Sequence, residues 1–212
     1  MHDHRDPFGQ ALGVLRAQLR SGRYVLGEQL MVSAFSRDLR LSATPVREAL
    51  SRLAGEGLID DRRGMGYFAW RLDAIDLVEL YDLQSAYLDA ALTRAEDRAV
   101  VSLRAANGAA EVEAAEDGLI GKVEAIFNSV VVLGRSTALM RAHRMLADRL
   151  APFRRAEASA LTDIASELGA LEAMILRADR DAVADAMRRY HARRSSRAAE
   201  VVATMRAQAP GI

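Results

Sequence analysis

The chain contains no cysteine, which excludes disulfide bonds, thiolate metal sites and a cysteine nucleophile. Lysine is almost missing too, because Lys122 is the only lysine among the 29 basic residues. No apolar run reaches the roughly 18 residues that a membrane-spanning helix needs. Residues 1–10 are polar and charged, unlike a secretory signal. These absences predict a cytoplasmic protein with no membrane segment.

Sequence signatures of common enzymes are missing as well. The chain has no Gly-x-Ser-x-Gly nucleophile elbow, no glycine-rich phosphate loop ending in Lys-Ser/Thr, and no His-Glu-x-x-His metal motif. Adjacent carboxylates such as Asp60-Asp61 and Glu116-Asp117 stand in turn or surface contexts, where solvated charge is expected. The sequence therefore predicts a protein that is not an enzyme.

Charge is balanced overall but unevenly distributed along the 212 residues. Residues 1–72 hold 11 arginines against 8 acidic residues, a net charge of +3. Residues 73–212 hold 18 basic against 21 acidic residues, a net charge of −3. The N-terminal end is therefore the end expected to meet a polyanion such as nucleic acid.

Residues 39–58 carry the most informative pattern, which predicts a short helix after a turn. Thr44 is expected to cap this helix, and Pro45 to occupy its first position, where the missing N–H costs nothing. Four residues then follow at the spacing of one apolar face, namely Val46, Ala49, Leu50 and Leu53. By itself, this segment fits an ordinary core helix equally well.

A basic hairpin is predicted directly after this helix. Residues 58–61 and 67–70 are strand candidates, and the turn between them contains Arg62, Arg63 and Gly64. Taken alone, the two arginines would be a solvated hairpin tip. Helix, turn, helix and hairpin in this order predict a winged helix-turn-helix. The recognition helix of such a domain enters the DNA major groove, while the wing contacts phosphate or the minor groove.

The same region resembles the GntR family of bacterial transcription regulators. Residues 42–50 read SATPVREAL and are similar to the family segment SRTPVREAL, and residues 27–30 (GEQL) and 63–68 are similar to its flanking motifs. The resemblance covers residues 8–71. It implies sequence-specific binding of double-stranded DNA.

The resemblance also implies which residues contact DNA. Ser42, Thr44, Arg47 and Gly64 stand at family contact positions, and Arg63 would place the wing. Ala43 occupies a contact position where the family usually has arginine. The operator is therefore expected to differ from the family's common one, or to be bound more weakly. Two further arginines, Arg37 and Arg40, are candidates for phosphate contacts or for a solvated surface.

The predicted fold is mostly helical, with a winged helix-turn-helix and a two-stranded wing in residues 1–71. Residues 72–212 are predicted to form an all-α bundle of about six helices. Asp73 is the expected N-cap of the first of them. Residues 107–116 are predicted as a loop plus a short helix. The other helices are predicted at residues 8–19, 32–39, 74 to about 98, 119–133, 136–150 ending near Pro152, 161–178 and 181–208.

Residues 76–83, DLVELYDL, are similar to the opening of the helical domain of the FadR subgroup, the FCD domain. That resemblance implies effector binding and homodimerisation. Many members hold a metal there with one Asp and three His. The corresponding positions here are Glu124, Asn128, Leu168 and His191, a poor donor set for a transition metal, so neither a metal nor another cofactor is expected. Glu124, Asn128 and His191 are predicted to line a metal-free effector pocket, with an internal polar network as the alternative.

The resulting hypothesis is a homodimeric regulator, a repressor, that binds an inverted-repeat operator and responds to a small effector. Two alternatives stay open at this point. The winged helix would bind a protein instead of DNA, or the chain would bind DNA constitutively with no effector.

Overall fold

The computed structural model describes residues 6–24, 26–95, 118–177 and 179–208. Its N-terminal part begins with a helix that starts at a capping aspartate, because the Asp6 carboxylate accepts a hydrogen bond from the Phe8 N–H. A second helix has the predicted bounds, and the predicted recognition helix and hairpin follow it. The elements are α1 (Pro7–Arg20), β1 (Gln29–Leu30), α2 (Val32–Leu39), α3 (Ala43–Gly55), β2 (Ile59–Arg62) and β3 (Gly66–Ala69).

The sheet has three antiparallel strands in the order β1-β3-β2. Within the wing, Ile59 pairs with Ala69 and Arg62 with Gly66. On the other side of β3, Gln29 pairs with Phe68. The sequence predicted only the two wing strands and treated β1 as a connector. A two-residue strand is too short to show an alternating pattern, and it exists here because β3 offers it a free edge.

The recognition helix α3 starts two residues earlier than predicted. Ser42 is its N-cap residue, with extended backbone angles of φ −67° and ψ 163°, so the prediction of Thr44 as the cap is wrong. Pro45 is consequently the third helical residue and not the first. The helix accepts it there because the first four N–H groups of any helix have no intrahelical partner. The Ser42 hydroxyl makes no capping hydrogen bond and is exposed.

The C-terminal part is helical throughout the residues that the structure describes. Its first helix begins as predicted, because Asp73 and Asp76 form a reciprocal capping box. Residues 107–116, predicted as a loop plus a short helix, lie outside the described residues. The described helices are α4 (Ala74–Arg94), α5 (Gly118–Leu133), α6 (Thr137–Ala160), α7 (Ile164–Arg177), α8 (Arg180–Ser196) and α9 (Ala198–Gln208).

Two predicted helix ends in this part are wrong. Helix α6 continues through Pro152 to Ala160, because Leu150 and Phe153 on either side of the proline are fully buried in the core. Burial of this face offsets the hydrogen bond that proline cannot donate. The predicted final helix is two helices, α8 and α9, separated at Arg197.

The core consists of three clusters of buried residues. One lies in the N-terminal part, where α1 and α3 pack against the sheet. A second joins α4, α6 and α9, and a third joins α4, α5, α7 and α8. The partly buried Trp70 and Leu26 of the N-terminal segment pack on the second cluster, so the two parts of the chain are in contact. Among the described helices, none combines the length and apolar character needed to cross a bilayer.

Candidate nucleic-acid interface

Helix α3 is amphipathic, with one apolar and one polar face. The four predicted apolar residues are completely buried, and α1 supports them from behind. The opposite face exposes Thr44, Arg47 and Ser51, which follow one another at helical spacings of three and four residues. A helix that is anchored on one side and polar on the other can present these groups to a groove of DNA.

Specific contacts hold the wing against the recognition helix. The Ser51 hydroxyl lies 2.6 Å from the Tyr67 hydroxyl of β3. At the tip, the Gln29 side-chain amide donates to the Met65 carbonyl over 2.9 Å. Gly64 has φ +76°, a left-handed conformation that suits glycine, and this shapes the turn beside Arg63. The Ser51–Tyr67 contact therefore joins the wing to α3, and the Gln29 contact joins the tip of the wing to β1.

Four arginines in or beside α2, α3 and the wing are exposed to solvent. Arg37, Arg40, Arg47 and Arg63 are exposed, and none of them forms an ion pair within the described part of the chain. The neighbouring Arg62, by contrast, is paired with Asp60 and lies over the Phe68 ring. Unpaired guanidinium groups are available for phosphate oxygens or base edges.

The structure therefore exposes the side chains of Ser42, Thr44, Arg47, Arg63 and Arg37, together with Gly64. Ala43 is half-buried in the first turn of α3. The contact between Ser51 and Tyr67 was not anticipated, because it joins a helix to a strand and no local pattern reports it.

The three residues predicted to line an effector pocket lie in different surroundings. Asn128 is exposed. His191 is buried, and its Nδ1 lies 2.7 Å from the Met187 carbonyl. Glu124 accepts a hydrogen bond of 2.6 Å from Arg20 of α1. Glu124 and His191 therefore bond to different partners, and the shared effector pocket stays a prediction.

Glu124 and His191 are nevertheless connected through two buried side chains. The Arg154 guanidinium donates to the side-chain oxygen Oε1 of Gln84 over 2.8 Å, and that oxygen lies 3.2 Å from His191 Nε2. On its other side, Arg154 approaches Glu124 to 3.9 Å. These contacts form a polar network that includes Glu124 and His191 but in which no contact of Asn128 is found among the described residues. Within the described ranges, no three His, Asp or Glu residues lie close enough together to hold a metal ion.

Burial keeps both histidines of this region neutral at pH 7. Burial, with a smaller contribution from Arg154, lowers the pKa of His143 to about 4. Burial lowers the pKa of His191 to about 3, with Arg154, Arg194 and His143 adding to the effect and a hydrogen bond to the Met187 carbonyl opposing it. In the unfolded chain both are expected to titrate near the ordinary value of about 6.5.

The free energy of unfolding is therefore expected to decrease as the pH falls from about 6.5 towards 4, because only the unfolded chain takes up protons there. Each histidine contributes up to about 1.4 kcal/mol per pH unit. Urea unfolding followed by circular dichroism at pH 7, 6 and 5 measures the slope. The double variant His143→Gln/His191→Gln should flatten it, and an unchanged slope in that variant would contradict the assignment.

A charged contact joins α1 to the helical part. Asp148 of α6 accepts hydrogen bonds of 2.5 Å from both Arg16 and Arg20. Arg16 also donates to Glu56 at the C-terminal end of α3 over 2.6 Å, and Arg20 donates to Glu124. Arg16 therefore connects α3 to α6. The sequence did not indicate this contact, because its partners are more than a hundred residues apart.

A winged helix-turn-helix is a motif that many DNA-binding proteins use, and here a helical bundle follows it. Comparison with known proteins shows which of them are similar. Residues 9–68 match the family described as "Bacterial regulatory proteins, gntR family". The matched residues span the winged helix-turn-helix, so this part of the chain is similar to the DNA-binding domain of that family. The matched family is one of regulatory proteins, which agrees with the prediction of a protein that is not an enzyme.

Similar proteins extend this picture. The Nta operon transcriptional regulator of Aminobacter aminovorans is 30% identical over 133 residues, which cover 58% of this chain and 62% of that protein. A putative GntR transcriptional regulator from Rhodococcus sp. RHA1 has a similar fold, with a TM-score of 0.72 at 17% identity, covering 92% of this chain and 98% of that one. E. coli McbR/YncC aligns with a TM-score of 0.65 at 17% identity over 91% and 96% of the two chains.

Proposed function

We propose that this protein is a transcription regulator that binds specific sequences of double-stranded DNA through α3 and the wing. The observation that carries the proposal is the exposed Arg47, which has no ion pair among residues 6–24, 26–95, 118–177 and 179–208 and stands on a helix whose other face is completely buried. Ser42, Thr44 and Arg47 would contact the major groove. Arg63 and Gly64 would place the wing, and Arg37 would contact phosphate. The half-buried Ala43 leaves the first turn of α3 without the arginine usual in the family.

We further propose two domains, residues 1–71 for DNA binding and residues 72–212 for dimerisation and effector response, as in the FadR subgroup. A homodimer with two-fold symmetry would bind an inverted repeat. Repression is the expected sign of regulation, and the cytoplasm the expected location. DNA is favoured over a protein partner, because four arginines in or beside α2, α3 and the wing are exposed and form no ion pair within the described residues. The large apolar side chains exposed on the same elements are those of Met31 and Met65.

The direct experiment is a gel-shift titration with DNA fragments from around the protein's own gene, against unrelated DNA of equal length. Wild-type protein is expected to bind at least one fragment in preference to the unrelated DNA. Its affinity should fall steeply between about 50 and 200 mM salt, because each neutralised phosphate releases counterions. Binding that does not distinguish any genomic fragment from unrelated DNA would contradict the proposal.

A further inference from the structure

An open groove of about 730 Å³ lies where α1, the C-terminal end of α3 and α6 meet, and we call it the junction groove. Its volume is in the range of small-molecule sites. The groove is separate from the exposed face of α3 that carries Thr44, Arg47 and Ser51. It is also separate from the polar network around His191. The charged residues that line it are Arg16 from α1, Arg52 and Glu56 from α3, and Arg141, Arg144 and Asp148 from α6.

The arrangement of α6 gives the groove a positive wall. Arg141, Arg144 and Asp148 follow one another at spacings of three and four residues, so they form one stripe along about two turns of the helix. Arg141 and Arg144 are exposed and form no ion pair within the described residues. Asp148 is nearly buried and already neutralised by arginines of α1.

The opposite wall carries two more arginines whose partners are shared. Arg52 pairs with Glu56 over 2.7 Å, and Glu56 also accepts from Arg16 over 2.6 Å. The groove is therefore lined by four arginine guanidinium groups and by only two carboxylates. This leaves a local excess of positive charge in a chain whose net charge is zero. Convergent guanidinium groups bind phosphate and carboxylate with paired hydrogen bonds.

We propose that the junction groove binds a small molecule carrying two or more anionic groups, held first by Arg141 and Arg144. The second anionic group would compete with Glu56 and Asp148 for Arg16. Because Arg16 bridges α3 and α6, the bound ligand changes the strength of the contact between the winged helix and the bundle. This regulatory consequence rests on the proposed DNA binding, whereas ligand binding itself does not.

The test is calorimetric titration of the full chain with inorganic pyrophosphate at constant ionic strength, repeated with citrate to separate phosphate from carboxylate recognition. Wild-type protein should bind at least one of the two. The variant Arg141→Ala/Arg144→Ala should lose about tenfold or more in affinity, as expected for two charge-assisted contacts. Both side chains are exposed and unpaired, so the fold should be unchanged by circular dichroism.

The matched control is Arg189→Ala/Arg206→Ala, which removes the same charge from two exposed arginines without ion pairs elsewhere in the described chain. Its affinity should stay close to wild type. Absence of binding of both probes to wild type, or equal losses in the two double variants, would overturn the proposal.

A gel shift with added pyrophosphate or citrate then measures whether the bound ligand changes the affinity for DNA. If the chain binds no DNA at all, the proposed function fails while the calorimetry still decides on the groove.

Discussion

Replacing Arg47 by alanine is expected to weaken binding to the specific DNA fragment by about tenfold or more per protomer. Arg47 is exposed on α3 and has no ion pair within the described residues, so its guanidinium is free to form two parallel hydrogen bonds with a guanine edge or a phosphate. The substitution therefore removes no hydrogen bond or ion pair found among the described residues. Thermal unfolding of Arg47→Ala should therefore match wild type, and only DNA binding should change.

One further variant separates charge from geometry at this position, and one on α9 serves as a control. Arg47→Lys keeps the charge but loses the planar guanidinium, so a base contact predicts a loss of specificity, and a phosphate contact predicts only a small change. Arg206→Ala removes an exposed charge from α9 and should bind DNA like wild type. Gel-shift titrations with specific and unrelated fragments measure both the affinity for the specific DNA and the specificity over unrelated DNA. Equal binding by Arg47→Ala and wild type would exclude α3 as the reading helix.

Replacing Glu157 by alanine is expected to lower the free energy of unfolding by about 3–5 kcal/mol. One carboxylate oxygen of Glu157 accepts from the buried Tyr81 hydroxyl over 2.7 Å, and the other accepts from Arg194 Nε over 2.7 Å. Arg194 is completely buried, and its second partner is Glu167 at 3.0 Å. After the substitution, the buried Arg194 cation keeps only the carboxylate of Glu167 as a partner. The buried Tyr81 hydroxyl loses the acceptor of its hydrogen bond.

The ionisation states around Glu157 support this expectation. Burial raises the pKa of Tyr81 well above 10, and Glu157 adds to the shift, so the hydroxyl remains protonated and donates. Burial alone would lower the pKa of Arg194, but the nearby Tyr190, Glu157 and Glu167 outweigh it and raise the pKa. Arg194 is thus charged at any accessible pH and cannot escape the lost partner by deprotonation.

Urea unfolding followed by circular dichroism measures the effect of Glu157→Ala, with two comparisons. The double variant Glu157→Leu/Arg194→Met removes both charges and should recover most of the loss, since a buried ion pair is often replaceable by apolar residues of similar volume. Glu200→Gln removes one partner of an exposed pair and should change the free energy by less than about 1 kcal/mol. A loss for Glu157→Ala no larger than that for Glu200→Gln would contradict the account.

Local patterns in the sequence determined the winged helix, the bounds of α2 and the start of α4. Each of these depends on groups a few residues apart, such as the capping box at Asp73 or the apolar face of α3, and such interactions form in the same way wherever the segment lies. The same periodicity identified the exposed face, because residues between the buried positions, such as Arg47 and Ser51, are left on the outside of the helix.

Tertiary structure decided the features that depend on partners far apart in the chain. Strand β1 forms only because it pairs with the edge of β3. Helix α6 continues through Pro152 because the residues on both sides of the proline are buried in the core. Asp148 is paired with Arg20, a residue 128 positions away. Helical periodicity reports which face of a helix is buried but not which helix covers it, and the partner depends on how all the elements pack. The polar network around Arg154 and the junction groove therefore could be recognised only in the folded protein.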